Sequence, residues 1–174
     1  HGREINFHDV HLAFVFAKQV PSGPMIEAHF HLAGQSVPVC SPSRLAELGH
    51  KPESVADFLT LGLLHDGTSK GWTNWLSEVD SSVSDRGHEA ALVGTTFEDF
   101  NLLRAAALSG QGVALCPKAM IQPDLDSGGL VQISHRFQND GNNYYLLAST
   151  TAPSQVKRNA QVFRDWAMTE RDDT

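Results

Sequence analysis

Residues 91–131 read ALVGTTFEDFNLLRAAALSGQGVALCPKAMIQPDLDSGGLV, and the order of their signals decides the fold. A strand is followed by a capped helix, a glycine stop, a second strand, a proline-started short helix and a glycine-led turn into another strand. Thr95 or Thr96 is placed to cap the helix, with Glu98 or Asp99 three residues on completing a capping box. Phe100, Leu103, Ala106 and Ala107 form its apolar stripe. Gly110 ends it, Gly112 admits the tight entry to VALC, and Pro117 pre-sets the first turn of the next helix. This arrangement sets a helix N-terminus just past the end of a strand, where α/β proteins hold small polar or anionic ligands. No catalytic constellation accompanies it, so the stretch points to binding before chemistry.

Working outward, the rest alternates in the same way. Val10 to Phe16 (VHLAFVF) is a continuous apolar run, expected as a strand buried on both faces. Pro21 to Pro24 is a turn, and residues 26–40 are extended with an interruption near Gly34. Ser41-Pro42-Ser43 caps a helix through Leu48 that Gly49 stops, and Glu53 to Leu59 is a second helix. Leu61 to His65 is a brief strand. Trp72, Trp75 and Leu76 stripe one helix face, as core rather than as a cofactor platform. Asp80 to Gly87 and Arg136 to Asn143 are polar connections, and Tyr144 to Ser149 is a strand. From Pro153 a final helix aligns Val156, Ala160, Phe163 and Ala167, with Trp166 beside them. The alternation predicts α/β architecture with mostly parallel pairing.

The chain has 174 residues, 41% hydrophobic and 19% charged, which suits one domain or two small lobes. Its formal net charge of −7, with no basic cluster, excludes a duplex-gripping surface. No apolar run approaches the roughly 18 residues that would span a bilayer. No secretory leader is visible and no initiator Met opens the chain, so a cytoplasmic fragment of a longer protein is expected. Cys40 and Cys116 lie in apolar runs and read as free buried thiols, without an activating partner for nucleophilic work. Among nine histidines, His29 and His31 share a strand face, but no third ligand has metal-site spacing. Neither a metal nor a cofactor is expected.

The phrases LAFVF, VPVCSPSRL, LLHDGTSKGWTNWL, FEDFNLLRAAALSGQGVALCP, DLDSGGLV and YYLLAS occur in this order along nearly the whole chain. In that order they resemble the effector-binding domain of LysR-type transcriptional regulators. The subgroup resembled includes regulators of glycine cleavage and of β-lactamase expression. The resemblance implies a fold like the type-2 periplasmic binding proteins, with two α/β lobes joined by two crossover strands. By analogy lobe one takes residues 1–40 and 153–174, lobe two takes 43–147, and the crossovers fall near 37–41 and 148–152. The family's winged helix-turn-helix is absent from the chain. The first strand and helix of lobe one also have no counterpart, so lobe one is expected to be truncated at its N-terminus.

The same resemblance implies an effector held between lobes. Matching positions are Thr95, Thr96, Phe97, Glu98 and Asp99 at the central helix start, with His65, Asp66 and Thr68 after the strand LLH. Tyr144 follows on the approach to the return crossover, and Phe16 and Lys18 come from lobe one. Glu98 and Asp99 disfavour an anionic ligand, which favours an amino-acid-like or neutral effector over a dicarboxylate. The expected function is ligand sensing without catalysis, in a dimer or tetramer that meets promoter DNA only through a DNA-binding domain elsewhere in the full protein. The alternative on the same fold is a periplasmic solute-binding protein for uptake. An enzyme on this scaffold would need an acid–base or nucleophilic set that the sequence does not offer.

Overall fold

The computed structural model describes residues 11–79 and 89–172. The expected loop at 80–87 and the opening segment HGREINF lie outside the described residues. The chain divides into two compact units, one of residues 1–34 with 139–174 and one of residues 35–138. The strand at 36–40 is hydrogen-bonded into the sheet of the second unit, and the strand at 143–149 into that of the first.

The first unit is built on strands β1 (Leu12–Ala17), β2 (Ile26–Ala33) and β8 (Asn143–Ser149), in the order β1-β8-β2. Both pairings are antiparallel, with Phe14 opposite Leu146 and His29 opposite Leu146 on the other side. A register shift between Phe30 and Leu32 bends β2. One face collects Tyr145 and Leu147 with Ala13, Val15, Ala17, Ile26 and Ala28. Helix α6 (Ser154–Asp172) follows β8, and its Phe163 ring stands 6.3 Å from that of Phe14 on the other face. The apolar run of β1 is not buried on both faces as expected. It is an edge strand, and Phe14 and Phe16 remain 50% and 48% exposed.

The second unit is a five-stranded sheet, β5-β4-β6-β3-β7, formed by Thr95–Phe97, Leu63–Asp66, Val113–Pro117, Ser36–Cys40 and Val131–Gln132. Only β4 pairs in parallel, with β5 on one side and β6 on the other, while β3 runs antiparallel to both β6 and β7. The expectation of mostly parallel pairing therefore fails outside the β5-β4-β6 core. Alternating helices and strands leave the sense of each returning strand open, and β3 returns the other way.

This sheet is covered on both faces, which explains runs such as VALC. Leu63, Val113 and Leu115 share one core with Phe58, Trp72, Trp75 and Leu76. Those four come from α2 (Val55–Leu61) and α3 (Lys70–Val79), beside α1 (Pro42–Leu48). Leu64, Ala114 and Cys116 face the other way, against Leu103, Ala106 and Ala107 of α4 (Phe100–Leu108) and Ile121 of α5 (Lys118–Asp126). The strand period of two thus sorts neighbouring residues into opposite cores. Arg104 of α4 forks onto both carboxylate oxygens of Asp124 in α5, fixing the two helices on their shared face. Ser54 caps α2 in a reciprocal box with Asp57, which lowers that carboxyl to about 2 through the amides of Glu53 and Ser54.

Candidate functional site

The polar edge of the second unit is assembled where the parallel strands end. The chain leaves β4 at Asp66 and turns sharply at Gly67, which adopts φ +63°. The Gly67 amide donates to the Phe97 carbonyl at 2.8 Å, and the Thr68 amide donates to the Asp66 carbonyl at 2.6 Å. Two loops are therefore locked side by side at the carboxyl ends of β4 and β5. Parallel register sets Leu64 beside Thr95, His65 beside Thr96 and Asp66 beside Phe97.

The threonines do not cap the helix. They form edge strand β5, and the helix begins three residues later than their hydroxyls could serve. Asp99 takes the capping role, its carboxylate accepting from the amides of Asn101 and Leu102 at 2.8 and 3.3 Å. Strand pairing with β4 won the competition, because a threonine fits an extended edge and an aspartate caps at least as well. Thr95 and Thr96 are left exposed, as are Asp66, Thr68, Glu98 and Asp99. Phe97 is half-buried and packs toward the core around Leu103.

Three carboxylates meet at this edge. The Asp66 carboxyl is raised above its usual range, first by partial burial and then by the negative charges of Asp99 and Glu98. Beneath it, burial pushes the Cys116 thiol up to about 12, with Asp66 and Asp124 adding to the effect. Cys40 is likewise pushed up to about 11 by burial. Neither thiol is activated as a nucleophile. Among the described residues no group of three His, Cys, Asp or Glu side chains could hold a metal ion.

His65 is not presented at the edge. It is 1% exposed, and neither ring nitrogen makes a hydrogen bond of good geometry among the described residues. Burial lowers its pKa, and the nearby Val93 backbone opposes that shift only in part. Gly94 closes over this ring. A Cβ there would stand 2.2 Å from the Leu63 carbonyl and 2.5 Å from His65 Nε2. The sequence reading missed Gly94 and the Gly67–Phe97 clamp, although a glycine immediately before TTF and another inside HDGT were the available signals.

The remaining three expected residues belong to the first unit. Tyr144 pairs across β8 with Phe16 of β1 and Leu32 of β2, and its ring centroid lies 4.7 Å from that of Phe16. Gly34 presses against the same cluster, since a Cβ there would meet the Asn142 carbonyl at 2.2 Å and the Phe16 ring at 2.7 Å. Its amide reaches the Asn143 side chain at 3.4 Å. Lys18 is exposed just past the end of β1.

The ends of parallel strands are where α/β folds place their ligands. The LysR substrate binding domain matches residues 3–171, so the chain belongs to that family. The glycine cleavage system transcriptional activator of Escherichia coli K12 is 28% identical over 92% of the chain and 49% of its own length. The chain thus spans about half the length of this relative. The effector-binding domain of AmpR from Citrobacter freundii superposes with a TM-score of 0.70 at 18% identity, covering 98% of this chain and 80% of that one. The AmpR effector domain of Pseudomonas aeruginosa gives 0.68 at 21% identity, covering 97% and 76%. These likenesses establish a type-2 periplasmic-binding-protein-like fold. Among the described residues no helix is long and apolar enough to cross a membrane.

Proposed function

We propose that this domain is the sensor of a LysR-type transcriptional regulator and that its effector is a small amino-acid-like molecule carrying an ammonium group. The observation that carries the effector class is the meeting of Asp66, Glu98 and Asp99 at the strand ends. Partial burial, and then the charges of Asp99 and Glu98, raise the Asp66 carboxyl, so a cation delivered there relieves that repulsion as it binds. Exposed Thr95, Thr96 and Thr68 add hydroxyls that donate to or accept from a polar ligand. In the first unit, Tyr144, Phe16 and Lys18 remain candidate contacts by resemblance, Tyr144 combining a hydroxyl with apolar area.

In this reading binding shifts the population of regulator conformations and does no chemistry. Promoter contact, and the dimer or tetramer that makes it, belong to the full-length protein. The curated relative named above is a transcriptional activator, and the uptake-protein alternative has no comparable support. The test is calorimetric titration of the full-length regulator with free amino acids and with their N-acetyl derivatives. Binding of a free amino acid, lost on N-acetylation and weakened at least tenfold by Asp66→Asn, supports the reading. Equal affinity for both forms, or indifference to Asp66→Asn, overturns it.

A further inference from the structure

Beneath the polar edge lies a buried imidazole. His65 immediately precedes Asp66 on β4, and the alternation of a strand sends the two side chains to opposite faces. The His65 ring is 1% exposed, and among the described residues neither nitrogen makes a hydrogen bond of good geometry. Its cover is thin. Gly94 is exposed at the surface, yet a Cβ on it would stand 2.5 Å from Nε2 and 2.9 Å from Cδ2 of this ring.

Among the described residues no charge answers the ring. Period two places it on the face of Leu63, which packs with Trp72, Trp75 and Ala91. Strand β5 beside it contributes Thr95, Thr96 and Phe97, and nothing that titrates. The charged residues of α3 are Lys70 and Glu78, and Glu89 precedes β5; all three are exposed. Cys116 of β6 lies in the opposite core, where Arg104 and Asp124 engage each other. Glu98 and Asp99 act on Asp66. A proton on His65 therefore meets no carboxylate inside, and water reaches the ring only if Gly94 withdraws. Strand β5 starts at the next residue, and the Phe97 carbonyl at its far end holds the Gly67 amide at 2.8 Å. Withdrawing Gly94 thus lifts β5 from β4 and frees the clamp that shapes the edge.

We propose that His65 is an acid-operated latch on the effector edge: the neutral ring lets Gly94 close over it, and the protonated ring is accommodated only with β5 drawn away. That opening releases an effector rests on the ammonium reading of the edge; the opening itself does not. A solvated imidazole titrates near 6.5. Only the open form takes up the proton readily, so linkage raises its population about tenfold between pH 7.5 and pH 5.5.

The test follows amide hydrogen exchange by NMR in the 174-residue chain without effector, at both pH values, each rate divided by the intrinsic rate at that pH. The Gly67 amide reports the clamp. The Val113 amide, which donates to the Gly62 carbonyl at 2.8 Å, reports unfolding of the whole unit. Gly67 should be less protected than Val113 at both pH values, and its protection should fall about tenfold in acid. His65→Gln should abolish that fall and Asp66→Asn should keep it. If His65→Gln does not melt cooperatively, His65→Leu, apolar like its surroundings, takes its place. Equal protection of Gly67 and Val113, no fall in acid, a fall that survives removal of the imidazole, or one that vanishes in Asp66→Asn overturns the proposal. With no effector present, these outcomes are independent of the amino-acid titration that tests the ligand class.

Discussion

The indole of Trp72 donates its Nε1–H to the backbone carbonyl of Leu64 at 2.9 Å, two residues before β4 ends at the polar edge. This buried bond ties α3 to the strand that carries Asp66. Trp72 is 2% exposed and packs edge-on to Trp75 at a centroid distance of 5.6 Å. Trp72→Phe keeps most of the apolar volume and removes the donor, so it should cost about 1–3 kcal/mol. Urea unfolding of wild type and variant measures this, and an unchanged midpoint would show the bond to be dispensable.

Gly94→Ala should destabilise the second unit by about 1–3 kcal/mol or more, as overpacking does in a filled interior. The new methyl would meet a backbone carbonyl and the His65 ring, neither of which is a flexible side-chain end. A thermal melt reads the loss directly. A wild-type melting temperature would mean that the strand ends yield more readily than their packing indicates.

Asp99→Ala removes the N-cap of α4 and should cost about 0.5–2 kcal/mol. Thr96→Ala, at an exposed edge position, should change stability by no more than about 0.5 kcal/mol. Measured together in denaturant, the pair separates the residue that holds the helix from the one offered to solvent. If Thr96→Ala proves the costlier change, the cap assignment is wrong.

Asp66→Asn should raise the melting temperature at neutral pH while weakening effector binding at least tenfold, about 1.4 kcal/mol. Removing its charge relieves repulsion from Glu98 and Asp99, and it also deletes the proposed ammonium contact. Opposite signs in stability and affinity are what a binding residue held against local repulsion produces. A fall in both would reassign Asp66 to structure.

The buried His65 sets a pH dependence whose sign is fixed by burial. Its folded pKa is lowered below the usual value near 6.5, so the unfolded chain takes up the proton first. Its contribution is complete above pH 6.5 and is lost as pH falls from there through the lowered folded value. Asp66 acts in the opposite sense, its raised pKa favouring the fold in acid. Stability measured from pH 7.5 to 5.5 should decline, and His65→Gln should flatten that decline. An unaltered slope in the variant would assign the effect to another group.

Much of the second unit was legible because its signals are local and agree with one another. The Trp72, Trp75 and Leu76 stripe, the Ser41 cap and the AAAL helix each follow from spacing, and each is found. The Thr95–Thr96 cap was misread because a threonine serves equally well in an edge strand, and only the long-range pairing to β4 decides between them. Nothing local in YYLLAS reveals that Tyr144 pairs with Phe16, more than a hundred residues back in the chain. Of the candidate contacts, the acidic edge was visible as residue types, whereas the burial of His65 beneath Gly94 depends on a close approach that spacing does not encode.

The second unit enters and leaves through one clasp, where Ser36 and Gln138 exchange backbone hydrogen bonds of 2.9 and 2.8 Å. Residues 35–138 are therefore a contiguous insertion with adjoining ends, whereas the first unit is stitched from two distant stretches. Such an inserted segment can complete its sheet as soon as it is synthesised, while β8 must wait to slot between β1 and β2 across the whole insertion. Vectorial synthesis thus leaves the first unit as the late-forming partner. Chain breaks or circular permutation near the clasp should be tolerated far better than breaks within β8.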